Sequence, residues 1–159
     1  MQKYRLSSVL RKTWSVPVFA VFVAFPNADR YADIGRDPAD AQRALTEIQR
    51  HLEQLGDRYL PADQTLNIEV LDITLAGRAG LASSSTFDTR VIRGTADWPS
   101  IKLRYTLASQ GRVLASREET VADKDYLRRR SIAYSSLPYE KRMLDEWFQS
   151  RFAKPAGAR

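Results

Sequence analysis

A chain of 159 residues, 43% of them apolar, is one domain of ordinary size with material for a single hydrophobic core. It contains no cysteine and only one histidine, His51, which excludes disulfides, thiolate chemistry, cysteine-ligated zinc, iron–sulfur clusters and a two-histidine metal site within one chain. Lysine and arginine number 25 against 19 acidic residues; the net charge of +6 permits attraction to nucleic acid, anionic lipid or an acidic partner and requires none of them.

Lys3, Arg5, Arg11 and Lys12 precede an apolar run over residues 16–25, interrupted by Pro17. A basic front before a short apolar run resembles a secretory signal, and cleavage after Ala20 would fit its small residue. Such a cut leaves almost no apolar segment before it, and the run falls short of the roughly 20 residues that cross a bilayer. No transmembrane span is expected. The β-branched and aromatic residues favour a first strand over residues 18–25. Residues 1–17 then form a leader, a mis-assigned start or a loose arm.

A polar connection over residues 29–37, with Gly35, leads into a helix. Asp37 suits the cap, Pro38 the first helical position, and Asp40 the positive end of the helix dipole. Ala41, Leu45, Ile48, Leu52, Leu55 and Tyr59 follow at steps of three and four, on one stripe. Glu47 and Arg50 are spaced to pair across the wet side. Gly56 either ends the helix or weakens its last turn, and Leu60-Pro61 closes the region. The stripe covers the protein's own sheet in one reading and a partner in the other. His51, beside the stripe, is expected to be a boundary residue with one local contact.

The second strand, residues 64–77, changes phase. Leu66, Ile68 and Val70 alternate with polar residues; then Leu71, Ile73 and Leu75 become the apolar set around Asp72 and Thr74. Either a bulge sits near Val70-Leu71, or both faces are buried and Asp72 is an inward carboxylate that must be hydrogen-bonded or paired with arginine. Residues 77–86 are small and polar and read as a connecting loop; their serines lack a G-x-S-x-G elbow and an assignable base. A third strand is expected over residues 88–94, and Trp98-Pro99 reads as a kink that marks a strand start or an edge.

Residues 97–123 read as a complete hairpin. Ile101, Leu103, Tyr105 and Leu107 alternate with Lys102, Arg104 and Thr106, Ser109 to Arg112 supply the turn, and residues 113–121 run back. The stretch over residues 122–136 is irregular and cationic. Pro138 then opens a second helix with Tyr139, Met143, Leu144, Trp147 and Phe148 on one side, while Glu140, Arg142, Asp145, Glu146 and Gln149 fall mostly on the other. The aromatic face is expected to be core. The expected fold is α+β in the order β-α-β-β-β-β-α: a mainly antiparallel sheet of four to five strands with both helices on one face. It occupies residues 18–152, and residues 153–159 form a tail.

Acid–base catalysis needs two convergent carboxylates, or a carboxylate with a histidine. Asp72 and Asp123 are the candidates, although Asp123 and Asp125 also suit a turn just past a strand, and Asp97 before Trp98 suits another. Candidate binding residues are Asp97, Trp98, Tyr126 and the run Arg128, Arg129 and Arg130. Aromatics do not interleave with these cations as in an RNA platform, so nucleic acid is disfavoured as a partner. Walker and dinucleotide-binding glycine patterns are absent, and neither a metal nor a cofactor is expected.

With these residues in view, the chain is similar to a bacterial family catalogued as domain of unknown function 3016. The matching segments are VAFPNADRYADIG (residues 23–35), VLDITLAG (70–77), DWPSIKLRYTL (97–107) and YEKRMLDEWF (139–148), with DKDYL (123–127) as a fifth. The resemblance implies that residues 18–25 belong to the mature domain. It also implies export, since members typically carry a signal before this segment. The family has no assigned activity, so no catalytic role transfers. Asp72, Asp97, Trp98, Tyr105, Asp123, Tyr126, Glu140, Lys141 and Trp147 fall at family-like positions. The expected function is a non-catalytic binding or structural domain of the periplasm or envelope, with an envelope protein as partner. One alternative is a small hydrolase or lyase using Asp72 and Asp123. Another is an electrostatic binder of nucleic acid or anionic lipid through residues 128–130, and the alternative location is the cytoplasm.

Overall fold

The phase slip in the second strand is a bulge, and the sheet is organised around it. A computed structural model of the chain describes residues 20–79, 90–92, 96–128 and 136–153. Strand β1 (Val21–Ala24) leads to helix α1 (Pro38–Tyr59) through a short 3-10 turn, Ala28–Arg30. Strands β2 (Gln64–Thr74), β3 (Arg78–Ala79), β4 (Arg90–Val91), β5 (Ser100–Ser109) and β6 (Arg112–Ala122) follow, and helix α2 (Pro138–Phe152) closes the described fold. The main sheet has the order β1-β2-β5-β6. β1 runs parallel to β2, and the other two pairings are antiparallel. The sheet is therefore mixed, and mainly antiparallel as expected. β3 and β4 pair with each other as a separate ribbon. This corrects two expectations: the segment read as a loop after Gly77 begins with a strand, and the strand expected over residues 88–94 is not a fifth member of the main sheet.

Val70 opposes Leu103 and Asp72 opposes Lys102, so Leu71 is the extra residue of the bulge. Ile73 and Leu75 resume the buried side, while Leu71 is left half-buried instead of joining them. A nearby loop closes over the irregularity. The Tyr31 hydroxyl donates to the Val70 carbonyl at 2.6 Å. One Asp72 carboxylate oxygen accepts from the amides of Ala32 at 2.7 Å and Ile73 at 2.9 Å. Backbone groups that a bulge removes from the ladder thus keep partners. Asp72 is half-buried and holds a loop; it is not an inward carboxylate.

One face of the sheet presents Leu66, Ile68, Val70, Ile73, Ile101, Leu103 and Tyr105 to both helices. The other face is polar. Arg104 there reaches Glu69 at 3.2 Å and Glu118 at 2.9 Å, and Lys102 reaches Glu118 at 3.0 Å, linking three strands. These groups are about half exposed, so each pair adds little stability. The hairpin turn places Gln110 and Gly111 at φ values of 49° and 76°, the left-handed pair that a tight two-residue hairpin demands.

Asp37 caps α1 by accepting the Ala39 amide at 2.7 Å, with Pro38 opening the helix. Leu45, Ile48, Leu52 and Leu55 are buried along the stripe. The stripe therefore covers the protein's own sheet. Gly56 does not end the helix, which continues to Tyr59 with Gly56 in its last turn. A Cβ at Gly56 would overlap the Val21 side chain, so glycine is what lets α1 approach β1. In α2, Met143, Leu144, Trp147 and Phe148 are buried as expected. Trp147 packs in edge-to-face fashion on Tyr105, Phe148 and Phe152, and its indole N–H donates to Glu119 at 3.1 Å. No helix of the described residues is long and apolar enough to cross a membrane.

Candidate functional site

Four of the sequence candidates meet at one end of the sheet. The amide of Gly77, just past β2, donates to the carbonyl of Asp97 at 2.9 Å, and the amide of Asp123, just past β6, donates to the carbonyl of Pro99 at 3.2 Å. These bonds align three chain segments. The turn after β6 forms because one Asp123 carboxylate oxygen accepts the Asp125 amide at 3.1 Å. The turn carries Tyr126 beneath the first turns of α2, where its fully buried ring meets Tyr139 edge-on at 5.0 Å. Trp98 lies at the same end with the Lys124 ammonium 5.6 Å above its ring.

Helix α2 brings charge into this corner. Glu140 is only 2% exposed, and its carboxylate accepts the Ala76 amide at 2.7 Å. Arg142 donates to Asp123 and to the Tyr126 carbonyl, both at 2.9 Å. Glu140 and Arg142, placed by spacing on the side opposite the apolar face, are thus enclosed by protein. The start of α2 overhangs the end of the sheet, where protein surrounds positions that would be wet further along. Burial pushes the Tyr126 hydroxyl up from its ordinary value near 10, with the negative charges of Asp97 and Glu140 adding to the effect. Tyr126 is thus a neutral phenol at physiological pH.

Beside the corner a hollow of about 460 Å3 is lined by Ala32, Asp33, Arg36, Thr74, Gly77, Ala96 and Asp97. Two carboxylates and a guanidinium at one opening can recognise a polar ligand carrying both donors and acceptors. Asp33 and Arg36 were not singled out from sequence. Asp33 lies within the VAFPNADRYADIG segment, and the only signal was its membership of that motif. Its placement depends on the backbone, since Asp33 bridges in parallel to Thr74 and extends the β1 edge past the bulge.

The proposed catalytic pair does not come together. Asp72 and Thr120 both oppose Lys102, which puts Asp72 two strands from β6. Asp123 lies three residues beyond that row, so strand spacing and rise separate the two backbones by about 14 Å. Each carboxylate is also committed, Asp72 to backbone amides and Asp123 to Arg142. Arg128 is strongly exposed, 3.8 Å from Asp125. Arg129 and Arg130 lie outside the described residues, as do Tyr134 and residues 1–17.

His51 differs from expectation. It is buried, and its Nε2 lies 2.8 Å from the Asp145 carboxylate and 3.2 Å from the Lys141 carbonyl, both on α2. This is a contact across the fold, not a local one. One turn away the Lys141 ammonium donates to Glu47 at 2.7 Å and to Ser136 at 3.0 Å. The Lys141 hydrogen bond holds the Glu47 carboxyl below its usual range, against the opposing effect of burial. These groups fasten α1 to α2. Among the described residues no three His, Cys, Asp or Glu side chains gather closely enough to hold a metal ion.

Neither a curated protein nor a solved structure matches the chain. A family model does match, over residues 20–150, and it spans every main-sheet strand and nearly all of α2. On that match the chain belongs to the family of proteins of unknown function DUF3016.

Proposed function

We propose that this is a non-catalytic binding or structural domain of the bacterial envelope, and that its recognition surface is the hollow lined by Asp33, Arg36 and Asp97. The observation that carries the reading is the employment of the acidic candidates. Asp72 holds the loop over the bulge, Asp123 holds Arg142, and Glu140 holds Ala76. Carboxylates engaged in this way build a rigid rim, whereas general acid–base work needs a pair free to exchange protons across a substrate. The envelope location rests on the exported character that the family resemblance implies.

Two measurements test the proposal together. The full chain is fractionated by osmotic shock from a Gram-negative host, and wild type and an Asp72→Asn/Asp123→Asn variant are screened against chromogenic esters, phosphates, glycosides and peptides. The expected result is release with the periplasmic fraction and no turnover that the variant lacks. Retention in the cytoplasm, or turnover lost in a variant that keeps its circular dichroism, would overturn it.

A further inference from the structure

Strand β6 is the last strand of the main sheet, and among the described residues nothing pairs with its outer edge. It is long, Arg112–Ala122, whereas the opposite edge strand β1 has only four residues. An open edge of this length is a template for another strand unless its sequence blocks it.

The pairing with β5 shows which groups are free. Asp123 donates to Pro99 directly past the Ala122–Ser100 pair, so the hydrogen-bonded pairs recur at every second residue back along β6. Ala115, Arg117, Glu119 and Val121 turn their amides and carbonyls toward β5. Ser116, Glu118, Thr120 and Ala122 turn theirs outward, and all four residues are exposed. A strand added antiparallel must match outward residues with outward residues. For a second copy of β6, three registers satisfy this and keep most of the strand paired: those centred on residues 117, 118 and 119.

Charge decides among them. Centring on residue 117 sets Arg117 against Arg117 of the second copy; centring on 119 sets Glu119, already held by Arg151 at 3.2 Å and the Trp147 indole at 3.1 Å, against its own copy and leaves Arg117 opposite Val121. Centring on 118 sets Arg117 against Glu119 twice, Ala115 against Val121 twice and Ser116 against Thr120 twice. The first two kinds fall at non-hydrogen-bonded positions, where cross-strand side chains come closest. Glu118 then meets Glu118 on the axis, but each carboxylate already lies between Lys102 and Arg104 at 3.0 and 2.9 Å, which offsets the repulsion. Arg117 is exposed and forms no ion pair among the described residues. An acidic partner from outside is what its position lacks.

We propose that the chain forms a two-fold dimer by antiparallel pairing of β6 with β6 of a second copy, centred on Glu118, so that two four-stranded sheets become one continuous sheet. The edge charges that would repel a strand in other registers attract one in this register, and so they select the partner.

The test uses the full chain. Sedimentation velocity across the micromolar range should show wild type as a dimer. Arg117→Glu turns two attractive pairs into repulsive ones and should weaken the dimer about tenfold, while Tm at dilutions where both chains are monomeric stays unchanged, since Arg117 forms no ion pair among the described residues. The chain has no cysteine, so Glu118→Cys introduces a single thiol. Hydrogen-bonded antiparallel pairs place their Cα atoms about 5.5 Å apart, within disulfide reach. Mild oxidation should link Glu118→Cys into a covalent dimer much faster than Lys102→Cys, which lies one strand inboard. A wild type that stays monomeric, an Arg117→Glu dimer of unchanged strength, or equal cross-linking of the two thiol variants would each overturn the proposal.

Discussion

Helix α1 meets the sheet through leucine and isoleucine, and its closest approach is made by a missing side chain at Gly56. Helix α2 lies on the same face and buries a comparable apolar stripe, but it also carries Glu140 and Lys141 into the interior. The consequence is a difference in what each helix can tolerate. Against the sheet the seat of α1 depends on volume, which does not respond to pH; its His51 and Glu47 belong to the contact with α2. The seat of α2 depends on volume and on paired charges, and only the second responds to proton concentration. A helix anchored by charge at its first turns fixes the neighbouring backbone, here Ala76 and Tyr126, more narrowly than apolar contact would.

Removing an aromatic ring should give the largest effect and show how much α2 shares the volume-dependent mode. Trp147→Ala deletes a 7%-exposed side chain that touches three other rings, and it should cost about 3–5 kcal/mol in chemical denaturation. An unchanged denaturation midpoint would mean that the aromatic face is a ligand surface and that the comparison of the two helices is wrong. A smaller effect belongs to α1. Gly56→Ala forces a methyl group into Val21 and should cost about 1–3 kcal/mol at any pH, with Val21→Ala in the same chain recovering part of the loss. If the double variant were no better than the sum of the singles, close approach would not be the reason for the glycine.

The same contrast explains what could be read from the chain. The α1 stripe, its Asp37 cap, the hairpin and its turn were legible because each is a local pattern of period and capping. The bulge was legible as well, since a phase slip in a strand has few physical solutions. The buried state of Glu140 and the cross-helix bonds of His51 were not. Position on a helical wheel tells which residues share a side, not which neighbour overhangs them. Glu140 is inside because the end of β2 and the turn carrying Tyr126 rise around the start of α2. Of the candidate site, Asp97, Trp98, Asp123 and Tyr126 were identified one by one, and their meeting was not foreseeable. It depends on the register of β2, β5 and β6, which no single segment encodes. Asp33 and Arg36 were missed because their place at the hollow depends on the loop that closes the bulge.

The smallest expected effect separates the two helices most sharply. Lys141 donates to Glu47, and this bond lowers the pKa of the Glu47 carboxyl from its ordinary 4.5. A group whose folded value is depressed contributes stability that is fully present above its unfolded value and is lost as pH falls through the folded value. Wild type should therefore lose part of its stability as the medium is acidified below about pH 4.5. Lys141→Met keeps the length of the side chain and removes the donor, so Glu47 should return toward its ordinary value and the acid limb of the Tm profile should flatten. Gly56→Ala should instead shift the whole profile down in parallel. Identical acid limbs in Lys141→Met and wild type would show that the contact between Glu47 and Lys141 holds the helices together by shape alone, and the distinction between the two seats would fail at the point where it makes its finest claim.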